Sequence, residues 1–168
     1  MTASADLHPS LTPLAPLLGT WAGEGEGHYP TIAAFRYREQ VSFTHVGKPF
    51  LVYAQRTAHP DSGAPMHAEV GYLRIVADVD PTSVAVEFVL AHPTGIVEVE
   101  EGRFADGVIE LRTTTVGRTA TAKQVRSLRR RFVLDADVLA YDVWMAHADT
   151  PETHHLQARL HRRAAADA

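Results

Sequence analysis

From Thr20 to Arg162 the chain is cut into apolar-rich segments of roughly 7–11 residues by Gly, Pro and Asp, with almost no helical periodicity between them. Phe35 to Val46 alternates through Phe35, Tyr37, Val41, Phe43 and His45. Pro49 to Thr57, Met66 to Val76, Ser83 to Ala91, Ile96 to Glu101, Val108 to Val116, Gln124 to Leu134, Val138 to Ala146 and His154 to Arg162 read as further strands. Turn compositions separate them, among them His59 to Pro65, Asp78 to Pro81, Ala105 to Gly107 and Asp135 to Asp137. The missing strand–helix–strand rhythm argues against a parallel sheet. About nine or ten antiparallel strands in 168 residues must hide their edges. An up-and-down barrel does so by closing on itself, and a sandwich is the other solution. A barrel of this size holds one small ligand.

Ahead of the strands, Ser10 to Leu18 reads as a short N-terminal helix. Thr12 suits the N-cap, Pro13 suits the first helical position, and Leu14, Leu17 and Leu18 share a face. Gly19 ends it. One or two apolar turns of this kind plug an opening rather than stand free. Residues 1–9 and 164–168 read as flexible ends around one domain over residues 10–163.

Composition narrows the function. A net charge of −4 argues against a nucleic-acid binder. No apolar run approaches the roughly 18 residues that cross a membrane, and neither a leader nor a lipidation signal is visible, so the expected location is the cytoplasm. The absence of Cys excludes a disulfide framework, an iron–sulfur cluster and any thiolate site. Ten His leave open metal ligation, haem ligation and acid–base work.

Four stretches carry candidate chemistry. Gly19 to Gly27 has glycines at alternate positions, including Gly23 and Gly25, but no helix or Lys-Ser/Thr follows, which excludes a phosphate loop. It reads instead as a strongly curved first strand with Trp21 as a core anchor near the barrel base. In the last strand, Leu156, Ala158 and Leu160 define an inward face, and period two places His154 on it and His155 on the other. No further His or carboxylate lies at a spacing that completes a zinc set there. Met66 to Gly71 reads either as a solvated His/Glu face or as a pocket lining with Met66 as soft filler and His67 as a polar group. Tyr141 to Met145 presents Trp144 and Met145 on opposite faces. Glu98, Glu100 and Glu101 read as a solvated hairpin, and Arg129 to Arg131 as an exposed patch. No Gly-x-Ser-x-Gly elbow occurs.

Several of these motifs together resemble the nitrobindin family. They are Gly19-Thr-Trp-Ala-Gly-Glu-Gly25 with Tyr29-Pro-Thr-Ile32, Met66-His-Ala-Glu-Val-Gly-Tyr-Leu-Arg74, Leu90-Ala-His-Pro-Thr-Gly-Ile96, Thr121-Ala-Lys-Gln-Val125 and His155-Leu-Gln-Ala-Arg-Leu160. The resemblance spans roughly residues 10–163 and implies an all-β, ten-stranded antiparallel barrel related to fatty-acid-binding proteins and lipocalins. It further implies one ferric haem b per chain at the barrel mouth, with His155 as axial ligand to the iron and Thr31 against the haem. Met66, His67 and Met145 fall where the family lines its cavity, and Lys123 is the candidate partner of a propionate. The implied activity is isomerisation of peroxynitrite to nitrate, with reversible nitric oxide binding, in a monomer or homodimer. A bulge in the last strand, or a haem at the rim, would reconcile His155 with the alternation that favours His154. The rival readings are a non-catalytic carrier of a small apolar ligand and a haem-based nitric oxide sensor.

Overall fold

Period two decides the architecture. Along Phe50–Ala58 the buried residues are Leu51, Tyr53, Gln55 and Thr57, and along Val84–Ala91 they are Val84, Val86, Phe88 and Leu90. Each strand therefore turns one face to a common interior. The computed structural model describes residues 5–76 and 83–164, so the expected turn at Asp78 to Pro81 and the outermost parts of both expected flexible ends lie outside the described residues. Ten strands are present: β1 (Gly19–Tyr29), β2 (Ile32–Thr44), β3 (Phe50–Ala58), β4 (Pro65–Ile75), β5 (Val84–Ala91), β6 (Ile96–Ala105), β7 (Val108–Arg118), β8 (Val125–Asp135), β9 (Val138–His147) and β10 (Thr150–Arg162). All neighbours are antiparallel, each strand pairs with the next, and β1 closes against β10. This is the up-and-down barrel of the two solutions left open by the strand count. The last strand begins at Thr150 rather than His154.

One end of the barrel is sealed. Pro9–Leu17 forms a 3-10 helix, not the α-helical turn expected from Thr12 and Pro13. His8 is its N-cap, and the Thr12 hydroxyl donates to the Pro9 carbonyl at 2.7 Å. Proline at three of its positions forbids a regular i→i−4 ladder and leaves the tighter form. Its three-residue period buries Leu11, Leu14 and Leu17, whereas Leu18, expected on that face, is only half-buried. Trp21 is fully buried against this plug, and its indole Nε1 donates to the Leu17 carbonyl at 2.8 Å. Arg162 lies 4.0 Å over the Trp21 ring and donates to the Leu18 and Pro16 carbonyls at 2.6 and 2.7 Å.

Between Trp21 and Tyr29 the inner face of β1 carries only Gly23, Gly25 and Gly27. A Cβ at Gly23 would meet the Arg159 carbonyl oxygen at 2.2 Å, and one at Gly25 would meet the Tyr37 ring at 2.4 Å. The absent side chains let β10 and Tyr37 approach the strand directly. The opposite end is ringed by the connections β1–β2, β3–β4, β5–β6, β7–β8 and β9–β10, and it opens into the interior. Among the described residues no helix is long and apolar enough to cross a membrane.

Candidate functional site

The barrel mouth is organised by an irregularity in β10. His154 pairs with Trp144 and Leu156 pairs with Val143, so β10 spends one more residue than β9 at this point. His155 is the extra residue of a β-bulge. The bulge corrects the alternation that put His154 inward. His154 points out, its Nε2 lies 2.8 Å from Asp142 Oδ1, and its ring meets Trp144 edge-on at 5.2 Å. His155 and Leu156 both reach the cavity wall.

The His155 ring is held by two contacts. Its Nδ1 lies 3.0 Å from the backbone carbonyl oxygen of His28. A carbonyl only accepts, so Nδ1 carries the proton and Nε2 keeps its lone pair. The Tyr29 ring packs edge-on against the imidazole at 5.2 Å, and the Tyr29 hydroxyl is anchored by donating to the Met145 carbonyl at 3.0 Å. Burial pushes the His155 imidazole below the ordinary histidine range, ahead of the opposing pull of the His28 carbonyl, so the ring is neutral at pH 7.

The other expected residues gather around the same cavity of about 620 Å³. Thr31 lies in the β1–β2 turn, Met66 near the start of β4, and Lys123 in the connection before β8, all three exposed at the rim. Met145 on β9 and His67 on β4 are half-buried and line the wall. Trp144 faces away, under the Arg129 guanidinium at 3.5 Å. A volume of this size suits a ligand of drug or cofactor dimensions.

The deeper wall differs from the expectation. Glu98 and Glu100 are 1% and 0% exposed, so they are interior residues and not a solvated hairpin. On β6 the Glu face points inward and Val97 points out. Arg130 is likewise buried, flanked by the outward Arg129 and Arg131. Its guanidinium lies 3.1 Å from Glu69, 3.4 Å from Glu98 and 3.6 Å from Glu100. Burial pushes the Glu69 carboxyl up, but Arg130, His67 and His92 outweigh it and hold it well below the carboxylate range. Burial, together with Glu98 and Glu69, pushes Glu100 up to about 8 against the pull of Arg130. Beside this group, Glu39 accepts from Gln55 at 2.9 Å and from the Tyr141 hydroxyl at 2.8 Å, and burial raises it to about 7.

Sequence reasoning placed Glu98 and Arg130 at the surface, left Glu69 between a solvated face and a pocket lining, and gave His92 no role. The signal was present for the glutamates in the strict alternation of Ile96, Glu98 and Glu100, which shows that they share the face of a buried Ile. Tyr29 and the His28 carbonyl had no such signal, because they reach His155 only through barrel closure.

Comparison with known proteins decides the family. A model described as the THAP4-like, haem-binding β-barrel domain matches residues 10–162. The chain belongs to this nitrobindin family. Peroxynitrite isomerase 2 of Mycobacterium marinum is 55% identical over 163 residues, covering 95% of this chain and 98% of the relative. The peroxynitrite isomerase of Nocardia farcinica is 50% identical over 163 residues, covering 95% of this chain and 94% of the relative. The crystal structure of Rv2717c from M. tuberculosis matches at a TM-score of 0.84 and 46% identity, covering 95% of this chain and all of that one. A haem-binding barrel of the nitrobindin type needs an imidazole that is neutral, oriented and at the rim of a cavity. His155 has all three properties, so the residues present fit the group.

Proposed function

We propose that this chain binds one ferric haem b through His155 and isomerises peroxynitrite to nitrate. The observation that carries the reading is the 3.0 Å contact between His155 Nδ1 and the His28 carbonyl, which leaves Nε2 free to ligate. The names of the 50% and 55% identical relatives support the substrate. When bound, ferric iron supplies Lewis acidity toward an anionic oxidant and can also take nitric oxide.

The chain's own residues supply the rest. Tyr29 and the His28 carbonyl fix the imidazole plane and tautomer. Met145, Val143 and Leu156 present apolar surface beside His155 and limit water there. Lys123 at the rim gives a positive charge for a propionate or for an approaching anion. Thr31 lies on the same rim, against the bound group. Conversion of peroxynitrite to nitrate is an isomerisation, so the protein need neither donate nor remove a proton or an electron overall.

Haem titration followed by visible absorption tests the assignment. The wild type and His154→Ala should give a Soret band at one haem per chain, and His155→Ala should not. Identical spectra for all three proteins would remove His155 from the site. Stopped-flow decay of peroxynitrite should then accelerate in proportion to haem-loaded protein; an unchanged decay would leave a haem carrier or sensor without this activity.

A further inference from the structure

Opposite His155, the same cavity holds a second group of ligand-type atoms, of which the haem reading uses only His67, and that as cavity wall rather than as a ligand. His67 and Glu69 lie two apart on β4 and so share its inner face, and the β4–β5 register brings His92, just beyond β5, beside Glu69. His67 Nε2 lies 3.1 Å from His92 Nδ1. Glu69 Oε1 lies 3.7 Å from each of these nitrogens. The three atoms form a nearly regular triangle. A tetrahedral ion with bonds of about 2.0–2.2 Å holds neighbouring ligands about 3.3–3.6 Å apart, which falls between the edges of this triangle.

The surroundings prepare each ligand. Glu69 Oε2 takes Arg130 Nη1 at 3.1 Å, which leaves Oε1 for one monodentate bond. His92 Nε2 lies 2.8 Å from Glu98 Oε1, close but off the ideal N–H direction. Two lone pairs would repel at that distance, so Nε2 carries the proton and Nδ1 faces His67. A carboxylate behind a histidine in this way orients a metal ligand and raises its basicity. Three carboxyl groups, Glu69, Glu98 and Glu100, meet one guanidinium, so the cluster favours added positive charge. The side chains of Glu69 and His92 are each 7% exposed, whereas that of His67 is 32% exposed and forms the cavity side of the triangle.

We propose that His67, Glu69 and His92 form a binding site for a divalent transition-metal ion, distinct from the haem site at His155, with its remaining coordination position toward the shared cavity. Two imidazoles and one carboxylate are a donor set that suits Zn²⁺ or Fe²⁺ and disfavours Ca²⁺ and Mg²⁺, which prefer all-oxygen shells. The ion replaces the hydrogen bond between the two rings. Neither the haem nor the peroxynitrite reading is required for this site.

Isothermal titration of zinc chloride into the chelator-treated full chain tests it. One Zn²⁺ should bind per chain. His67→Ala should weaken binding about 100-fold or more, and Glu98→Gln, which stands behind His92 and does not itself touch the ion, about 10–100-fold. His154→Ala, at the outer surface beside Asp142, should leave it unchanged. Absence of stoichiometric binding overturns the proposal. So does binding that survives His67→Ala or disappears with His154→Ala. Should His67→Ala fail to fold by circular dichroism, the imidazole ¹⁵N resonances of the wild type decide the matter. Zinc must then shift His67 Nε2 and His92 Nδ1, and a spectrum in which they do not move overturns the assignment.

Discussion

The two ends of the barrel interior are built by opposite rules. At the sealed end, Leu11, Leu14, Leu17, Trp21 and Val41 are buried at 0–1% exposure and almost all contact is apolar. At the open end, the same inward positions of the same kind of strand carry Glu69, Glu98, Glu100 and Arg130 at 0–6% exposure. The sealed end obtains its stability from packing. The open end is held by charges that require one another, since each carboxylate buried without Arg130 would cost several kcal/mol. Stability and site chemistry are therefore separated along the barrel axis, and they should respond to different perturbations.

The largest effect should come from breaking the packed end. Trp21→Ala removes a fully buried ring and its bond to Leu17. The expected loss is about 3–5 kcal/mol, or roughly 6–20 °C in Tm for a chain of this size, with little dependence on pH. Calorimetry at two pH values checks both parts. Arg130→Met breaks the charged end. It should also cost about 3–5 kcal/mol at pH 8, because three carboxyls lose their guanidinium, but the loss should shrink toward pH 5 as they take up protons. Denaturant melts at the two pH values separate this behaviour from a packing defect, which would show the same loss at both.

A directional effect, read as a slope rather than a single loss, follows from Glu100 and Glu39. Their folded values of about 8 and about 7 lie above the ordinary 4.5, so the folded chain holds protons that the unfolded chain has released. Their contribution is therefore favourable at low pH and is lost as pH rises through the window from about 4.5 to about 8. Glu100→Gln should flatten the fall of stability across that window by at most about 1.4 kcal/mol per pH unit. A slope equal to that of wild type would show that Glu100 is ionised in the folded chain. The smallest effect belongs to the outer surface. Arg36 and Glu24 pair at 2.8 Å but are 69% and 58% exposed, so Arg36→Ala should change stability by less than about 0.5 kcal/mol.

Strand count and antiparallel order were legible, because period two and turn residues are local signals; closure was one of two solutions that the count allowed. The plug was legible too, although its start and helical type were not: proline spacing selects the 3-10 form, and the buried face then follows Leu11 rather than Leu18. The expected rim residues Thr31, Met66 and Lys123 do meet at one opening. What alternation cannot give is the polarity of a face. In β6 it separates Glu98 and Glu100 from Val97 and Val99 correctly, yet the usual rule of charge outward assigns them to the wrong sides. The distant Arg130, with His92 beside Glu98, makes the inward choice affordable. Nor can it give a bulge, which shifts His155 into register with the cavity through pairing with β9.

The seam between β1 and β10 sets a schedule for making the protein. Glycine-rich β1 emerges first of the ten strands, and the strand that closes against it, carrying His155, emerges last. The His28 carbonyl and the imidazole it orients are 127 positions apart in the chain, so the site is absent from every nascent form that lacks β10, and any cofactor held there must be loaded after β10 is made. Throughout that interval β1 has an unpaired edge, a standing invitation to neighbouring chains. Its sequence answers the hazard: Gly23, Gly25 and Gly27 have low strand propensity, and the outward Glu24 and Glu26 bring like charges to any encounter between two such edges. The glycine–glutamate alternation that lets β10 and Tyr37 approach the finished strand thus also protects the unfinished one.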